Sequence, residues 1–260
     1  MPSDFRRLLW LLKLGAIVNV YLITSVLGLA VFDLHVVVPA LILLGVSAFR
    51  CLFPNRYLDN IVFHDSPASS IFLTRLLATF SEVAYIYQFS YVIRVLNAES
   101  IDWVNALSWW MVAQVVISQA FVWSAILTKR LNLYFYEELG WLIIFAANTA
   151  ASAFLYAVLD AAGPGLGLLV LNLVFGAFYL PWQVLHLRSL LAEAQAEPLP
   201  GSAPCHWRQG LRDAIHERNR RTDAKAWGGL IGLTWMVAYW VSLIPLWVHH
   251  IARVVSDRSS

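Results

Sequence analysis

The chain has 260 residues, of which 60% are hydrophobic and only 13% are charged. Soluble domains carry about 25% charged residues, so the composition excludes an ordinary soluble domain and indicates an integral membrane protein. The formal net charge of +2 says little by itself, and we expect no nucleic-acid partner.

Seven apolar segments are each long enough to cross about 30 Å of hydrocarbon. We predict an all-α integral membrane protein, a seven-transmembrane-helix bundle forming a single polytopic domain over residues 1–260. The spans are expected at about 8–31, 34–53, 67–96, 103–127, 131–159, 166–191 and 226–251. The first segment is too long for the apolar region of a signal peptide, so we expect it to stay in the mature protein. A Gly-Pro-Gly turn at 163–165 separates spans five and six.

The third span is unusual because it carries two ionisable residues, Arg75 and Glu82. Ser66 as N-cap and Pro67 at the first helical position predict where its helix begins. A charge at the bilayer centre costs about 2.5–3.5 kcal/mol on insertion scales, and needs compensation. Arg75 and Glu82 share a helix face but lie about 10 Å apart along the axis. We therefore expect each to find its partner on another helix.

The distribution of Lys and Arg predicts the orientation. With the N-terminus inside, 15 of the 18 basic residues fall on the inner side and 3 on the outer side. This is a strong positive-inside signal. We predict a cytoplasmic N-terminus, a C-terminus on the opposite side, and a location in the plasma or inner membrane. Cys51 and Cys205 then face the cytoplasm, where thiols stay reduced, so no disulfide is expected.

The inner loop 192–224 begins as a flexible linker and then shows a helical pattern over about 206–221. Its apolar residues recur on one face and its arginines lie on the other. This pattern favours a short amphipathic helix on anionic lipid head groups. The alternative is a solvated, charged loop.

Several polar side chains gather at a common depth. The inner half of the bilayer is expected to hold Arg75, Gln119, Glu137, Glu138, Gln183 and His186, and the middle to hold Glu82 and Asn148. They predict a polar pocket that opens toward the cytoplasm. Intramembrane ionisable groups indicate function by default. The alternative is a structural network that only fixes helix packing.

The leading functional hypothesis is an intramembrane enzyme that acts on a lipid-like or isoprenoid substrate by acid/base chemistry. Arg75 is expected to hold a polar head group, and a desolvated carboxyl group to transfer protons. Deep tryptophans either line the chain-binding cavity or simply pack. The predicted catalytic residues are Glu82, Glu137 and Glu138. The predicted substrate-binding residues are Arg75, Gln119, Trp141, Asn148, Gln183 and His186.

Two alternatives stay open: a transporter or proton-coupled carrier, and a structural or assembly protein of the membrane. The carrier is disfavoured by the lack of an internal repeat. A retinal protein is disfavoured because all three lysines lie near inner span ends. The histidines form no metal-binding spacing, and a metal held by His64 and His186 with a glutamate is only a weak possibility. We expect no cofactor; the expected partners are membrane lipid and a hydrophobic small molecule, and the oligomeric state stays open.

Overall fold

The computed structural model describes residues 3–158, 164–195 and 204–258, and helices dominate them. The predicted end of span five at residue 159 lies outside this range, as does the start of the Gly-Pro-Gly turn. The helices are α1 (Ser3–Leu27), α2 (Leu34–Leu52), α3 (Ile71–Leu96), α4 (Asp102–Thr128), α5 (Asn132–Val158), α6 (Pro164–Gln195), α7 (Trp207–His216), α8 (Gly229–Trp240) and α9 (Leu243–Arg258).

Six helical segments within the described residues are long and apolar enough to cross a membrane. They are Arg7–Leu27, Leu34–Leu52, Asp102–Thr128, Asn132–Val158, Gly165–Ala192 and the α8–α9 segment Gly229–Asp257. The chain is therefore an all-α protein of the multi-pass membrane type. The predicted third span is not among the six, because α3 is long but carries polar side chains along its length. The predicted count of seven is thus not reached by length and apolarity alone.

Helix α3 begins later than its sequence suggested. Ser66 does act as a cap, since its hydroxyl accepts a hydrogen bond from Ala68 N, but it caps a 3₁₀ turn at Pro67–Ser69. The α-helix follows from Ile71. The sequence therefore predicted correctly that Ser66 is a cap, but the turn that it caps is the 3₁₀ turn and not α3.

The predicted last span is two helices, α8 and α9, with a break at Val241 and Ser242. Pro245 explains the break, because its ring has no N–H and clashes with the carbonyl four residues earlier, which is that of Val241. Pro245 sits in the first turn of α9, where proline is tolerated. The span also runs further than predicted, to Asp257.

The chain divides into two compact units. Unit 1 comprises Met1–Ala84 and Cys205–Ser260, and unit 2 comprises Tyr85–Pro204. In unit 1, helices α1 and α2 pack against each other and both contact α8 and α9. In unit 2, α5 lies between α4 and α6 and packs closely on both.

Unit 1 also contains a small three-stranded sheet of β1 (Asn55–Arg56), β2 (Ile61–Val62) and β3 (Asn219–Arg220). Strand β2 pairs antiparallel with β1 and parallel with β3, in a register that places Ile61 opposite Asn219. The sheet therefore joins the loop after α2 to the loop before α8.

The predicted amphipathic helix exists but is shorter than expected. Helix α7 covers Trp207–His216, is capped by His206, whose Nδ1 accepts from Arg208 N, and ends before β3. Beyond it the loop docks on the rest of unit 1: Arg218 Nε lies 2.8 Å from Asp65 Oδ1. Residues 196–203 of the predicted linker lie outside the described residues.

Candidate functional site

Arg75 and Glu82 pair with each other on α3. The Nη2 atom of Arg75 lies 2.6 Å from Oε2 of Glu82, and the two residues are only 1% and 6% exposed. Their separation along the axis therefore does not prevent a direct pair, which was not expected from the sequence. Positions i and i+7 are two turns apart on one face, the glutamate leans back toward the helix N-terminus, and the long arginine closes the remaining distance. Glu82 thus serves first as the counter-ion of Arg75.

A tyrosine ring lies close to both Arg75 and a second buried arginine, Arg50 of α2. The guanidinium carbons lie 5.4 Å (Arg75) and 5.5 Å (Arg50) from the ring centroid of Tyr57. Arg50 also lies 4.3 Å from the ring of Trp240, within cation–π distance. Sequence reasoning missed Arg50 and Tyr57 as site residues, because Arg50 counted only as a positive charge at an inner loop. The available signal was its position inside the last apolar turn of α2.

In unit 2, the glutamate that reaches α6 is Glu138. Gln183 Nε2 donates hydrogen bonds to Glu138 Oε2 at 2.7 Å and to its backbone oxygen at 2.9 Å. His186 Nε2 lies 3.8 Å from Glu138 Oε1, and both side chains are about a quarter exposed. The ring of Trp182 stacks on His186 with centroids 5.2 Å apart. Three predicted site residues, Glu138, Gln183 and His186, therefore come together.

Glu137 occupies a different side of α5. It lies one turn before Gly140, where a Cβ would collide with Ser118 of α4, so this side of α5 faces α4. Glu137 is 7% exposed, and Gln119 of α4 is 5% exposed. Consecutive residues of a helix lie about 100° apart around its axis, so the two adjacent glutamates take different sides of α5.

Aromatic rings continue from the Glu138 group along the α5–α6 contact. Trp141 and Phe145 stack with centroids 6.1 Å apart, and Phe145 lies 4.9 Å from Phe175 and 4.7 Å from Tyr179. Tyr85 joins them at 6.1 Å from Phe145. We call this set (Tyr85, Trp141, Phe145, Phe175 and Tyr179) the aromatic column. Its spacing of three to four residues on each helix is visible in the sequence.

Asn148, one turn beyond Phe145, is fully buried, and neither atom of its amide finds a hydrogen-bond partner among the described residues. The hydroxyl group of Tyr85 is likewise buried without a partner there. One turn further, Asn172 Nδ2 donates to Ser152 Oγ at 3.1 Å. Buried polar groups are almost always paired, so orphans of this kind call for a ligand or water.

The nine predicted site residues thus fall into two groups in different units. Arg75 and Glu82 belong to unit 1, and the other seven belong to unit 2. Within unit 2, Trp141 and Asn148 lie along the buried face of α5 that carries the aromatic column. No cluster of three or more His, Cys, Asp or Glu side chains able to hold a metal ion occurs in the described part of the chain.

Fold and polar groups together define the class: an all-α protein with apolar helices suited to several membrane passes and polar clusters among them. No protein-family model matches the chain, and neither a curated protein nor a solved structure matches it.

Proposed function

We propose that the protein is an intramembrane enzyme that acts on a lipid-like or isoprenoid molecule by acid/base chemistry, with its reacting groups in unit 2. The observation that carries the proposal is the geometry of Glu138, which Gln183 holds in place and which faces the imidazole of His186. A carboxylate that orients a histidine is a recurring acid/base unit in enzymes.

In this proposal His186 takes up and returns the proton, and Glu138 orients the ring and stabilises its charged form. The distance of 3.8 Å is longer than a hydrogen bond, and such contacts commonly tighten only when substrate binds. Glu137 is the second candidate for proton transfer because it is buried one residue away. Glu82, already paired with Arg75, has a positioning role.

The aromatic column is proposed to bind the apolar chain of the substrate. Its rings offer apolar surface and π faces that stabilise cationic groups. The orphan amide of Asn148 supplies both a donor and an acceptor for a polar atom of the substrate. This chemistry needs no cofactor.

We further propose seven membrane crossings, with the N-terminus cytoplasmic, the C-terminus on the opposite side, and a location in the plasma or inner membrane. The pairing of β2 with β3 supports this count, because paired strands must lie on the same side of the membrane. Between Val62 and Asn219, helices α4, α5 and α6 supply three crossings. A fourth crossing, by α3, returns the chain to the side of β2.

A second pair of contacts supports the same count. His249 Nε2 lies 2.9 Å from Ser25 Oγ, and Asp33 N donates to Ser256 Oγ at 3.4 Å. The end of α1 and the end of α9 therefore share one side. An even number of crossings between them requires α3 to cross as well.

Conversion of lipids by the purified protein tests the proposed activity. Protein is reconstituted in liposomes made from a total lipid extract that includes isoprenoids, and the lipids are followed by mass spectrometry. Wild type is expected to change the mass of at least one species. Glu138→Gln and His186→Gln are each expected to slow the change by about 10²–10⁴-fold, the usual contribution of general acid/base catalysis.

Glu99→Gln is the matched control, because Glu99 is an exposed glutamate of unit 2. It is expected to convert lipid at the wild-type rate. A lipid that wild type moves between leaflets or vesicles without a change in mass would overturn the enzyme in favour of a carrier. Equal conversion rates in wild type and Glu138→Gln would remove Glu138 from the chemistry.

A further inference from the structure

Arg50 is a buried cation without an anionic partner in the part of the chain that the structure describes. It is 8% exposed. Its Nε atom is buried and has no hydrogen-bond partner among the residues that the structure describes. Within the same residues, its guanidinium group lies near the rings of Tyr57 and Trp240. Ring faces offset part of the cost of burying a charge, but they accept no conventional hydrogen bond.

Arg75, the second arginine near Tyr57, does not bring a counter-ion to Arg50. Glu82 lies 2.6 Å from Arg75, and no ion pair among the described residues joins Glu82 or another carboxylate to Arg50. The carbonyl end of α2 is close to Arg50 and attracts a cation, but a helix dipole supplies only about half a charge. An unmet positive charge with unused N–H donors therefore remains.

Tyr57 adds a further donor. Its hydroxyl group is buried and has no hydrogen-bond partner among the described residues, and both guanidinium groups lie close to its ring. The arrangement is also held firmly: Asn19 Nδ2 donates to the carbonyl oxygen of Trp240 at 2.8 Å, which anchors the residue that flanks Arg50. Preorganised donors of this kind cost little to order when a ligand binds.

We propose that Arg50 and Tyr57, with Arg75 close to the same ring, form a binding site for a phosphate group in unit 1. A guanidinium fork matches the oxygens of phosphate. Donors from two separate elements, α2 and the loop after it, suit a tetrahedral oxyanion better than a planar carboxylate. The positive charge of Arg50 fits a phosphate monoanion, whether on a lipid head group or as a free ion. The site lies within unit 1 and goes beyond the acid/base chemistry proposed for unit 2.

Binding is measured on the full chain in a non-ionic detergent, by the shift of its thermal unfolding midpoint. Three probes are titrated: inorganic phosphate, dihexanoyl-phosphatidylglycerol below its micelle concentration, and dihexanoylglycerol, which lacks the phosphate. A saturable shift with either phosphate probe and none with dihexanoylglycerol is expected. A response to inorganic phosphate identifies the free ion as sufficient, and a response to the phospholipid alone identifies a lipid head group.

Two variants place the binding at this site. Arg50→Gln is expected to raise the Kd at least about tenfold, because it removes a charge-assisted hydrogen bond. Tyr57→Phe keeps the ring and removes only the hydroxyl group, so it is expected to fold and to raise the Kd about fivefold. Arg208→Gln is the control, since Arg208 is an exposed arginine of α7 in the same unit.

The proposal is overturned if wild type shows no saturable shift with either phosphate probe. It is also overturned if both Tyr57→Phe and Arg50→Gln bind phosphate as tightly as wild type. If Arg50→Gln fails to fold, wild-type affinity in Tyr57→Phe alone overturns it. Since binding rather than conversion is measured, this result is independent of whether the protein changes a lipid chemically.

Discussion

Loss of either Arg75 or Glu82 is expected to destabilise the protein, because the two residues form a buried ion pair. Both are almost fully buried, and burial of an ion costs several kcal/mol even after relaxation. Their mutual attraction offsets that cost only while both charges are present. The pair therefore acts as one unit that sets the position of the Arg75 guanidinium beside Tyr57.

Removal of the counter-ion is expected to be costly. Glu82→Gln removes the carboxylate that lies 2.6 Å from the buried Arg75, so the free energy of unfolding should fall by about 3–5 kcal/mol. Replacing both residues by apolar ones, Arg75→Met with Glu82→Leu, should recover most of this loss. Unfolding of the three proteins by denaturant in detergent measures the difference.

Asp65→Asn provides the contrast, because it breaks the ion pair with Arg218 in which Asp65 is 68% exposed. An exposed pair contributes about 1 kcal/mol or less. A loss in Glu82→Gln as small as that in Asp65→Asn would contradict the account of Arg75 and Glu82 as a tightly coupled buried pair.

At the residue scale the sequence indicated which polar residues matter and which share a helix face, but not which side chains contact each other. That Arg75 and Glu82 share a face follows from helical periodicity, but their direct contact depends on side-chain rotamers that periodicity does not specify. The association of Glu138 with Gln183 and His186 depends on the register between α5 and α6, which is set by packing. Arg50 and Tyr57 were missed because Arg50 counted only as a positive charge at an inner loop, and because the two residues meet through the turn after α2.

Helix α5 is the element on which unit 2 depends, and glycine allows its close packing. A Cβ at Gly140 would collide with the Ser118 hydroxyl of α4, and a Cβ at Gly176 of α6 would collide with Thr149 of α5. Small residues at such contacts let membrane helices approach closely. The same approach brings Gln183 to Glu138.

Gly140→Ala is therefore expected to lower the free energy of unfolding by about 1–3 kcal/mol, the typical cost of overpacking. Gly167→Ala is the control, since a Cβ at Gly167 meets nothing within 4 Å, and it should be neutral or slightly stabilising. Adding Ser118→Ala to Gly140→Ala should restore part of the loss. Thermal unfolding in detergent distinguishes these outcomes, and no difference between Gly140→Ala and Gly167→Ala would refute the close α4–α5 contact.

Elements differed in how well the sequence predicted them. Long apolar runs predicted most of the helices, because membrane crossing needs a length and composition that are easy to recognise. The small sheet was not predictable: its strands have two residues each, and β2 and β3 are separated by more than half of the chain. The break between α8 and α9 was signalled by Pro245, but a proline alone does not tell a kink from an end.

At the scale of the whole molecule, the proposed topology accounts for both the strand pairing and the buried polar residues of α3. Length and apolarity indicate six crossings, whereas the strand pairing and the contacts between the ends of α1 and α9 favour a seventh, by α3. The polar side chains of α3 that lower its apolarity are largely buried: Arg75 and Glu82 in unit 1, and Gln88 and Ser90 in unit 2. A buried polar face is how a membrane helix carries such residues.

The most direct test of this central claim is the side of the membrane on which each loop lies. One cysteine at a time is placed at Phe32, Glu99, Arg130, Asp223 or Asp257 in a Cys205→Ser background that keeps the buried Cys51, and intact cells are treated with a membrane-impermeant maleimide. Seven crossings with a cytoplasmic N-terminus predict that the cysteines at 32, 99 and 257 react from outside, and that those at 130 and 223 react only after permeabilisation. Reaction from outside at 32, 130 and 223, with protection at 99 and 257, would mean that α3 does not cross, and would contradict the account.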